Sequence, residues 1–333
     1  VLGWASATSR GRPSQRGCPS PRIGRAGCPE PDAGGPPPRV TSVGFVAARR
    51  LDAEVVVALL AECVDAVSGM VQQLSAADLA RPSVLPGWSV RDLAAHLVVV
   101  ADSVIHLEAL PSTAGVLSIS EYLSGYAARA ERITGLTQEA AVEIVDLGSA
   151  YDERWDAALH HLASLAGTEK VLARRAAART ADFAATRVIE LVVHADDLAR
   201  SLTAESVGAD DLARSLTAES VGADDLARSL PSERRSADVP GAAEKLVARV
   251  LLDVLATRHP GRSVEVRVPP VAAVQCLPGP RHTRGTPANV VETDQLTWVR
   301  LAAGRLRWTD AVSDGLVSAS GQRADLSAVL PLL

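Results

Sequence analysis

Apolar residues recur at helical spacing between about residues 43 and 202. Strand-like alternation is sparse between about residues 43 and 202. The periodicity predicts helices over about 45–74, 89–110 and 119–166, the last interrupted near Gly135 and Gly148, and a fourth helix that begins after Thr180. Four helical segments with short connections indicate an antiparallel four-helix bundle, whose core is a common place for metal ligands.

The predicted fourth helix is apolar on most sides and has a single polar stripe. A helix of that kind is normally buried, and buried carboxylates and imidazoles need partners. Glu190 and His194 lie one turn apart, so their side chains can reach one point, as two metal ligands on one helix do. The alternative is that the polar stripe simply faces water. At about 100° per residue, the residues of this stripe are Thr186, Arg187, Glu190, His194 and Asp197.

The predicted second helix carries His96 at the edge of its apolar stripe. Ser89 and Asp92 resemble a capping box at the start of this helix, with Asp in place of the usual Glu or Gln. A lone histidine in such a position is more often an ordinary packed residue. Together with Glu190 and His194, however, His96 completes a set of two histidines and one carboxylate.

The pattern changes after about residue 239. The sequence there predicts a helix over about 241–258 and strands over 263–268 and 271–276 that could pair across Pro269-Pro270. Helices over about 294–303 and 309–313, a strand over 316–320 and an amphipathic segment over 324–333 follow. We therefore expect a small α+β domain over 239–333, following the bundle.

Between these regions a 14-residue unit occupies 196–209 and again 210–223, and a third copy diverges soon after it starts at Asp224. Copies so similar and so few indicate a recent tandem duplication rather than a solenoid. Gly208 and Gly222 weaken a continuous helix. We interpret 203–238 as an extended, partly helical linker. Glu190 and His194 precede every copy, so the duplication does not affect their assignment.

Composition restricts the class of protein. Residues 1–42 are rich in Arg, Pro, Gly and Ser and predict a disordered tail; the missing initiating Met is compatible with a misplaced start site. The net charge of −5 does not favour nucleic-acid binding. Four cysteines without a disulfide pattern, no apolar run near 18 residues and no secretory signal predict a cytoplasmic protein without stable membrane insertion.

The bundle, over about 45–202, resembles the mycothiol-dependent maleylpyruvate isomerase family of DinB-like metal-binding bundles. The matching segments are LPGWSVRDLAAH at 85–96 and ELVVHADDLA at 190–199. The resemblance implies a divalent metal, typically zinc, held by His96, Glu190 and His194, with mycothiol as thiol cosubstrate. It makes Asp197 a partner that orients His194, although a role as base is also open. Arg187 could neutralise Glu190 or a substrate carboxylate, or form a structural salt bridge.

The C-terminal part resembles the sterol carrier protein fold in its bacterial form. The match rests on LTWVRLAAG at 296–304, WTDA at 308–311, DGL at 314–316, SG at 320–321 and the segment 281–292. Arg281 and Arg284 lie in a polar loop of that last segment. They are candidates for binding an acidic substrate or the thiol cofactor, and a surface loop held by its own hydrogen bonds is equally plausible.

The family resemblance implies an isomerase or thiol transferase. Three protein ligands leave an open position on zinc, where a thiol can be held as thiolate. Addition of the thiolate to an unsaturated diacid, bond rotation and loss of the thiol would give cis–trans isomerisation. Two alternatives are a non-catalytic metal protein whose C-terminal domain binds a lipid or other apolar ligand, and a metal-bearing interaction protein. The expected partners are a small thiol and a small substrate, and the expected state is a monomer or weak homodimer.

Overall fold

The protein is described by a computed structural model that covers residues 50–215, 239–280 and 288–333, with side chains to residue 203 in the first range. The predicted tail at 1–42, most of the predicted linker at 203–238 and the loop with Arg281 and Arg284 lie outside the described residues. Among the described helices, none combines the length and the hydropathy that a membrane span requires.

The first region is a helical bundle, as the periodicity predicts. Its helices are α1 (Ala53–Gln72), α2 (Ala76–Leu79), α3 (Val90–Ile105), α4 (Ile119–Ser124), α5 (Ala130–Glu143), α6 (Leu147–Ser164) and α7 (Thr180–Ser215). A 3₁₀ turn at Ala127–Arg129 precedes α5. The main helices are α1, α3, α6 and α7: α1 packs on α6 and α7, while α3 packs on α5, α6 and α7.

The helix that carries His96 begins where its sequence predicts. The Ser89 hydroxyl accepts a hydrogen bond from the Asp92 amide at 3.1 Å, and the Asp92 carboxylate accepts one from the Ser89 amide at 2.8 Å. This capping box satisfies two amides at the helix start. The expected interruption near Gly135 is wrong, because this glycine lies inside α5. The breaks in 119–166 fall at residues 125–129, between α4 and α5, and at residues 144–146, close to the interruption expected near Gly148, where Asp146 caps α6.

A small antiparallel sheet was not predicted in the helical region. Its strands, in spatial order, are β1 (Glu108–Leu110), β2 (Lys170–Leu172) and β3 (Ala177–Arg179). Three residues are too few for apolar alternation to be recognised. The pairing of β1 with β2 joins segments about 60 residues apart in sequence. Tertiary packing therefore decides these strands.

The second region contains the predicted α+β elements and one additional strand. The elements are α8 (Gly241–Arg258), β4 (Val264–Val268), β5 (Ala272–Cys276), β6 (Val290–Thr293), α9 (Gln295–Ala302), α10 (Trp308–Ser313) and β7 (Val317–Ser320). The antiparallel pairing of β4 with β5 is confirmed, while β6 was missed because only two of its residues are apolar. The sheet order is β5-β4-β6-β7, with β4 and β6 parallel.

One further difference concerns the end of the bundle. Helix α7 continues to Ser215, past the predicted bundle end at 202 and through the first copy of the repeat, so Gly208 does not end it. At the end of the chain, the amphipathic segment at 324–333 contains no helix or strand, and the Leu332 amide donates to the Ala302 carbonyl at 2.8 Å. Both regions contribute to one hydrophobic core, because α8 packs against α1, α4 and α7.

Candidate metal centre

The structure brings His96, Glu190 and His194 together inside the bundle. His96 comes from α3 and the other two from α7, and one ligand atom of each lies within 4.8 Å of the others. Glu190 Oε2 is 3.7 Å from His96 Nε2 and 3.3 Å from His194 Nε2. The three residues are at most 3% exposed. The geometric convergence expected from the sequence is therefore present.

The three atoms that face one another are buried and have no hydrogen-bond partner among the residues that the structure describes. They are His96 Nε2, Glu190 Oε2 and His194 Nε2. A buried polar atom without a partner costs about 1–3 kcal/mol, so a cluster of three is costly unless another group binds it. Imidazole nitrogens and a carboxylate oxygen are donors that zinc accepts. The residues present thus fit a divalent metal.

The second polar atom of each of these side chains contacts a neighbouring side chain. His96 Nδ1 lies 3.1 Å from the Thr137 hydroxyl, and His194 Nδ1 lies 3.0 Å from Asp197 Oδ2. Such supporting contacts fix the orientation of metal-binding histidines. Sequence reasoning identified Asp197 but missed Thr137, which belongs to α5 and carries no motif that would have indicated it.

Arg187 lies beside Glu190, one turn earlier on α7. Its Nη2 is 3.6 Å from Glu190 Oε1, and the guanidinium also donates to the Tyr126 hydroxyl and to Ser103 Oγ. Burial alone would lower the pKa of Arg187, but Tyr126 and Glu190 raise it. These contacts occupy the guanidinium within the protein, as a structural ion pair requires.

Asp197 connects the cluster to the C-terminal region. Arg305, just after α9, donates from Nε to Asp197 Oδ1 at 2.9 Å and from Nη2 to Asp197 Oδ2 at 3.0 Å. Gly304 has a φ of +71°, which permits the turn that places Arg305 there. Sequence reasoning missed Arg305. The available signal was two adjacent aspartates on an otherwise apolar helix, since buried carboxylates require cationic partners.

The protonation states suit a metal centre. Burial lowers the pKa of His96 to about 3, which keeps its ring neutral near pH 7. Burial would raise the pKa of Glu190, but the adjacent His194 and His96 rings and the Arg187 charge hold it well below its usual range. Burial would likewise raise the pKa of Asp197, but Arg305 and His194 hold it below its usual range. Metal ligands must be deprotonated, and these pKa shifts favour the deprotonated forms of His96 and Glu190.

A cavity of about 180 Å³ lies close to this cluster. Trp88 forms one wall and packs edge-on against His96, with ring centroids 5.4 Å apart. Trp88 therefore lies between the cavity and His96. The lining residues are Val84, Leu85, Pro86, Trp88, Arg200, Gly304 and Arg305.

Other candidate residues do not join the cluster. Arg281 and Arg284 lie outside the described residues. His160 is exposed, and His161 Nε2 contacts the Leu107 carbonyl at 2.8 Å. Cys63 and Cys276 are free and buried, and burial raises the pKa of each thiol to about 12, which opposes thiolate formation.

Comparison with known proteins agrees with this architecture. A family model described as mycothiol maleylpyruvate isomerase N-terminal domain matches residues 60–199, and one described as bacterial SCP ortholog matches residues 241–332. The search of curated proteins found no match.

Two crystal structures of the mycothiol-dependent maleylpyruvate isomerase match this chain. A histidine-to-alanine mutant of that protein has a TM-score of 0.50 and 14% identity, and the match covers 81% of this chain and 93% of that chain. The structure of that protein without the mutation gives a TM-score of 0.49 and 15% identity, with the same coverage. At its low identity, the match to the mutant shows a shared fold only. Residues 60–199 thus resemble the N-terminal domain of the mycothiol maleylpyruvate isomerase family, and residues 241–332 resemble the bacterial SCP ortholog family.

Proposed function

We propose that this chain is a divalent-metal-dependent enzyme of the maleylpyruvate isomerase type, which uses mycothiol to act on a small electrophilic substrate as an isomerase or thiol transferase. The observation that carries the proposal is the group of three buried ligand atoms without partners on His96, Glu190 and His194. The match of residues 60–199 to the mycothiol maleylpyruvate isomerase N-terminal domain model supports the thiol and the substrate class.

His96, Glu190 and His194 would hold the metal, and their nitrogen and oxygen donors fit zinc. When bound, the metal supplies a positive charge that keeps a thiol ionised near neutral pH. The protein contributes the donor set and a site from which bulk water is largely excluded, since all three side chains are buried.

The surrounding residues set the tautomers and orientations of the ligands. The ionised Asp197 can only accept, so it holds a proton on His194 Nδ1 and leaves the Nε2 lone pair facing the cluster. The Thr137 hydroxyl can accept the Nδ1 proton of His96 in the same way. Arg187 lies next to the other oxygen of Glu190 and balances its charge.

The reaction itself needs no further nucleophile from the protein. The mycothiol sulfur forms a C–S bond with one carbon of an electron-poor double bond, and the electron pair moves to the conjugated carbonyl. Rotation about the resulting single bond follows. Cleavage of the C–S bond then restores the double bond in the other geometry and returns the thiol. For a thiol transferase the C–S bond is kept, and a proton is added at the neighbouring carbon.

Metal analysis of the purified full chain tests this proposal. The parent and His160→Ala, which changes an exposed histidine, are expected to retain stoichiometric metal. His96→Ala and Glu190→Ala are expected to lose it. Mycothiol is then titrated into each protein, and thiol-dependent turnover of a maleylpyruvate-type substrate is followed. Full metal retention by both site variants would refute the ligand assignment. Metal binding by the parent without any effect of mycothiol would refute the enzyme while leaving the site.

The carrier alternative rests on the bacterial SCP ortholog match of residues 241–332. The interior of this region is occupied by its own side chains. Trp298 is fully buried, and its indole nitrogen donates to the Ala248 carbonyl at 3.1 Å, between α9 and α8. We therefore expect no stoichiometric lipid in an organic extract of the purified protein. Recovery of one defined lipid would favour the carrier function.

A further inference from the structure

The cavity beside Trp88 has a composition that the metal centre does not explain. It lies between the loop at 84–88, the part of α7 beyond Asp197, and the turn at Gly304. The loop is held against α7, because the Val84 amide donates to Ser201 Oγ at 3.0 Å. Both regions of the protein therefore build this cavity.

Two arginines line the cavity, but only one has a balanced charge. Arg305 is occupied by Asp197, and its Nη1 donates to the Ala303 carbonyl at 3.0 Å. The Arg200 guanidinium makes no hydrogen bond or ion pair with any residue that the structure describes. None of the described lining residues is acidic. The cavity thus offers one uncompensated positive charge.

The remaining walls are mainly apolar. They are formed by Val84, Leu85, Pro86 and Trp88. A volume of about 180 Å³ is below the roughly 300–1,000 Å³ of pockets for drug-sized ligands. A planar guanidinium matches the two oxygens of a carboxylate in a bidentate pair. These features match a small organic acid with a short carbon skeleton.

We infer that this cavity binds the carboxylate of a small organic acid through Arg200, with the carbon skeleton against Trp88. The inference rests on the proposed function, because it places the acid of an unsaturated diacid substrate next to the ligand cluster. Arg200 lies six residues after His194 on α7, which corresponds to about 9 Å along the helix. Trp88 contacts both the cavity and His96. A diacid held at Arg200 would therefore extend toward the cluster.

Calorimetric titration of the metal-free full chain with maleate tests this site, because removing the metal excludes a carboxylate–metal contact. Arg132→Gln is the matched control, since Arg132 is exposed on α5 and its loss changes the net charge equally. We expect the parent and Arg132→Gln to bind maleate alike and Arg200→Gln to bind it at least ~10-fold more weakly, which is about 1.4 kcal/mol. Arg200→Lys should fall between them, since lysine keeps the charge but not the fork.

A second arm needs no variant. Uncharged dimethyl maleate should not bind the parent measurably, and added salt should weaken maleate binding. Equal affinities of Arg200→Gln and Arg132→Gln, absence of maleate binding by the parent, or equal binding of the ester would overturn the inference. If the purified parent binds no metal but its maleate binding is intact, the proposed function alone would be refuted. Intact metal and thiol behaviour without maleate binding would refute only this inference.

Discussion

Two buried polar clusters of this protein differ in whether their charges and hydrogen bonds are satisfied. At the junction of the regions, Asp196 pairs with Arg300 through contacts of 2.7 and 2.9 Å, and Asp197 pairs with Arg305. Inside the bundle, three ligand atoms converge and remain without partners. The first cluster is complete in the protein alone, as a structural cluster should be. A bound cation would complete the second cluster, which is why we propose a function there.

The largest effect is expected from breaking the junction at Arg305. Arg305→Leu leaves the carboxylate of Asp197 buried without its counter-charge, which costs about 3–5 kcal/mol for a buried pair. Chemical denaturation of the metal-free protein measures this loss. Arg307→Leu is the control, because Arg307 is 83% exposed and its pair with Asp310 contributes little. Similar stabilities of the two variants would show that the junction is not the structural cluster described above.

Metal removal and Glu190→Gln test the opposite property of the bundle cluster. Metal at about a thousandfold its Kd stabilises a protein by about 4 kcal/mol, so chelation should lower the Tm of the parent. Glu190→Gln removes the charged ligand, and its Tm should be insensitive to chelation. Thermal unfolding with and without EDTA measures both proteins. The assignment fails if the chelator lowers the Tm of the variant as much as that of the parent.

Thr137→Val removes the hydroxyl next to His96 while keeping a similar shape. Loss of a group that supports a metal ligand typically lowers metal affinity 10–100-fold, so we expect a decrease of about tenfold. Competition with a chromophoric chelator measures it. Thr203→Val, on the exposed side of α7, should leave affinity unchanged. An unchanged affinity in both variants would mean that Thr137 does not orient His96.

Tyr126→Phe should have the smallest effect. It removes one acceptor of Arg187, which still contacts Ser103, Thr186 and Glu190. We expect a loss of about 1 kcal/mol, the usual value for one hydrogen bond. Chemical denaturation of the metal-free protein measures it, while metal stoichiometry should stay that of the parent. A loss of metal would place Tyr126 closer to the ligand set than its contacts indicate.

Much of the fold follows from local pattern. The long helices, the capping box at Ser89 and the hairpin of β4 and β5 were predicted because each depends on residues near one another in sequence. The strands β1, β2, β3 and β6 were missed, since short strands are decided by distant partners. The continuation of α7 to Ser215 was also missed, because the low helix propensity of Gly208 was given too much weight.

The sequence by itself determined the candidate ligands. The one-turn spacing of Glu190 and His194, and the position of His96 on an apolar stripe, are local properties that survive any arrangement of the helices. Only the tertiary structure decided that Thr137 faces His96 and that Arg305 balances Asp197. It also decided that Arg200, which pairs with none of the described residues, borders a cavity. Periodicity identifies which face of a helix is buried, whereas the group that meets this face comes from a distant segment placed by packing.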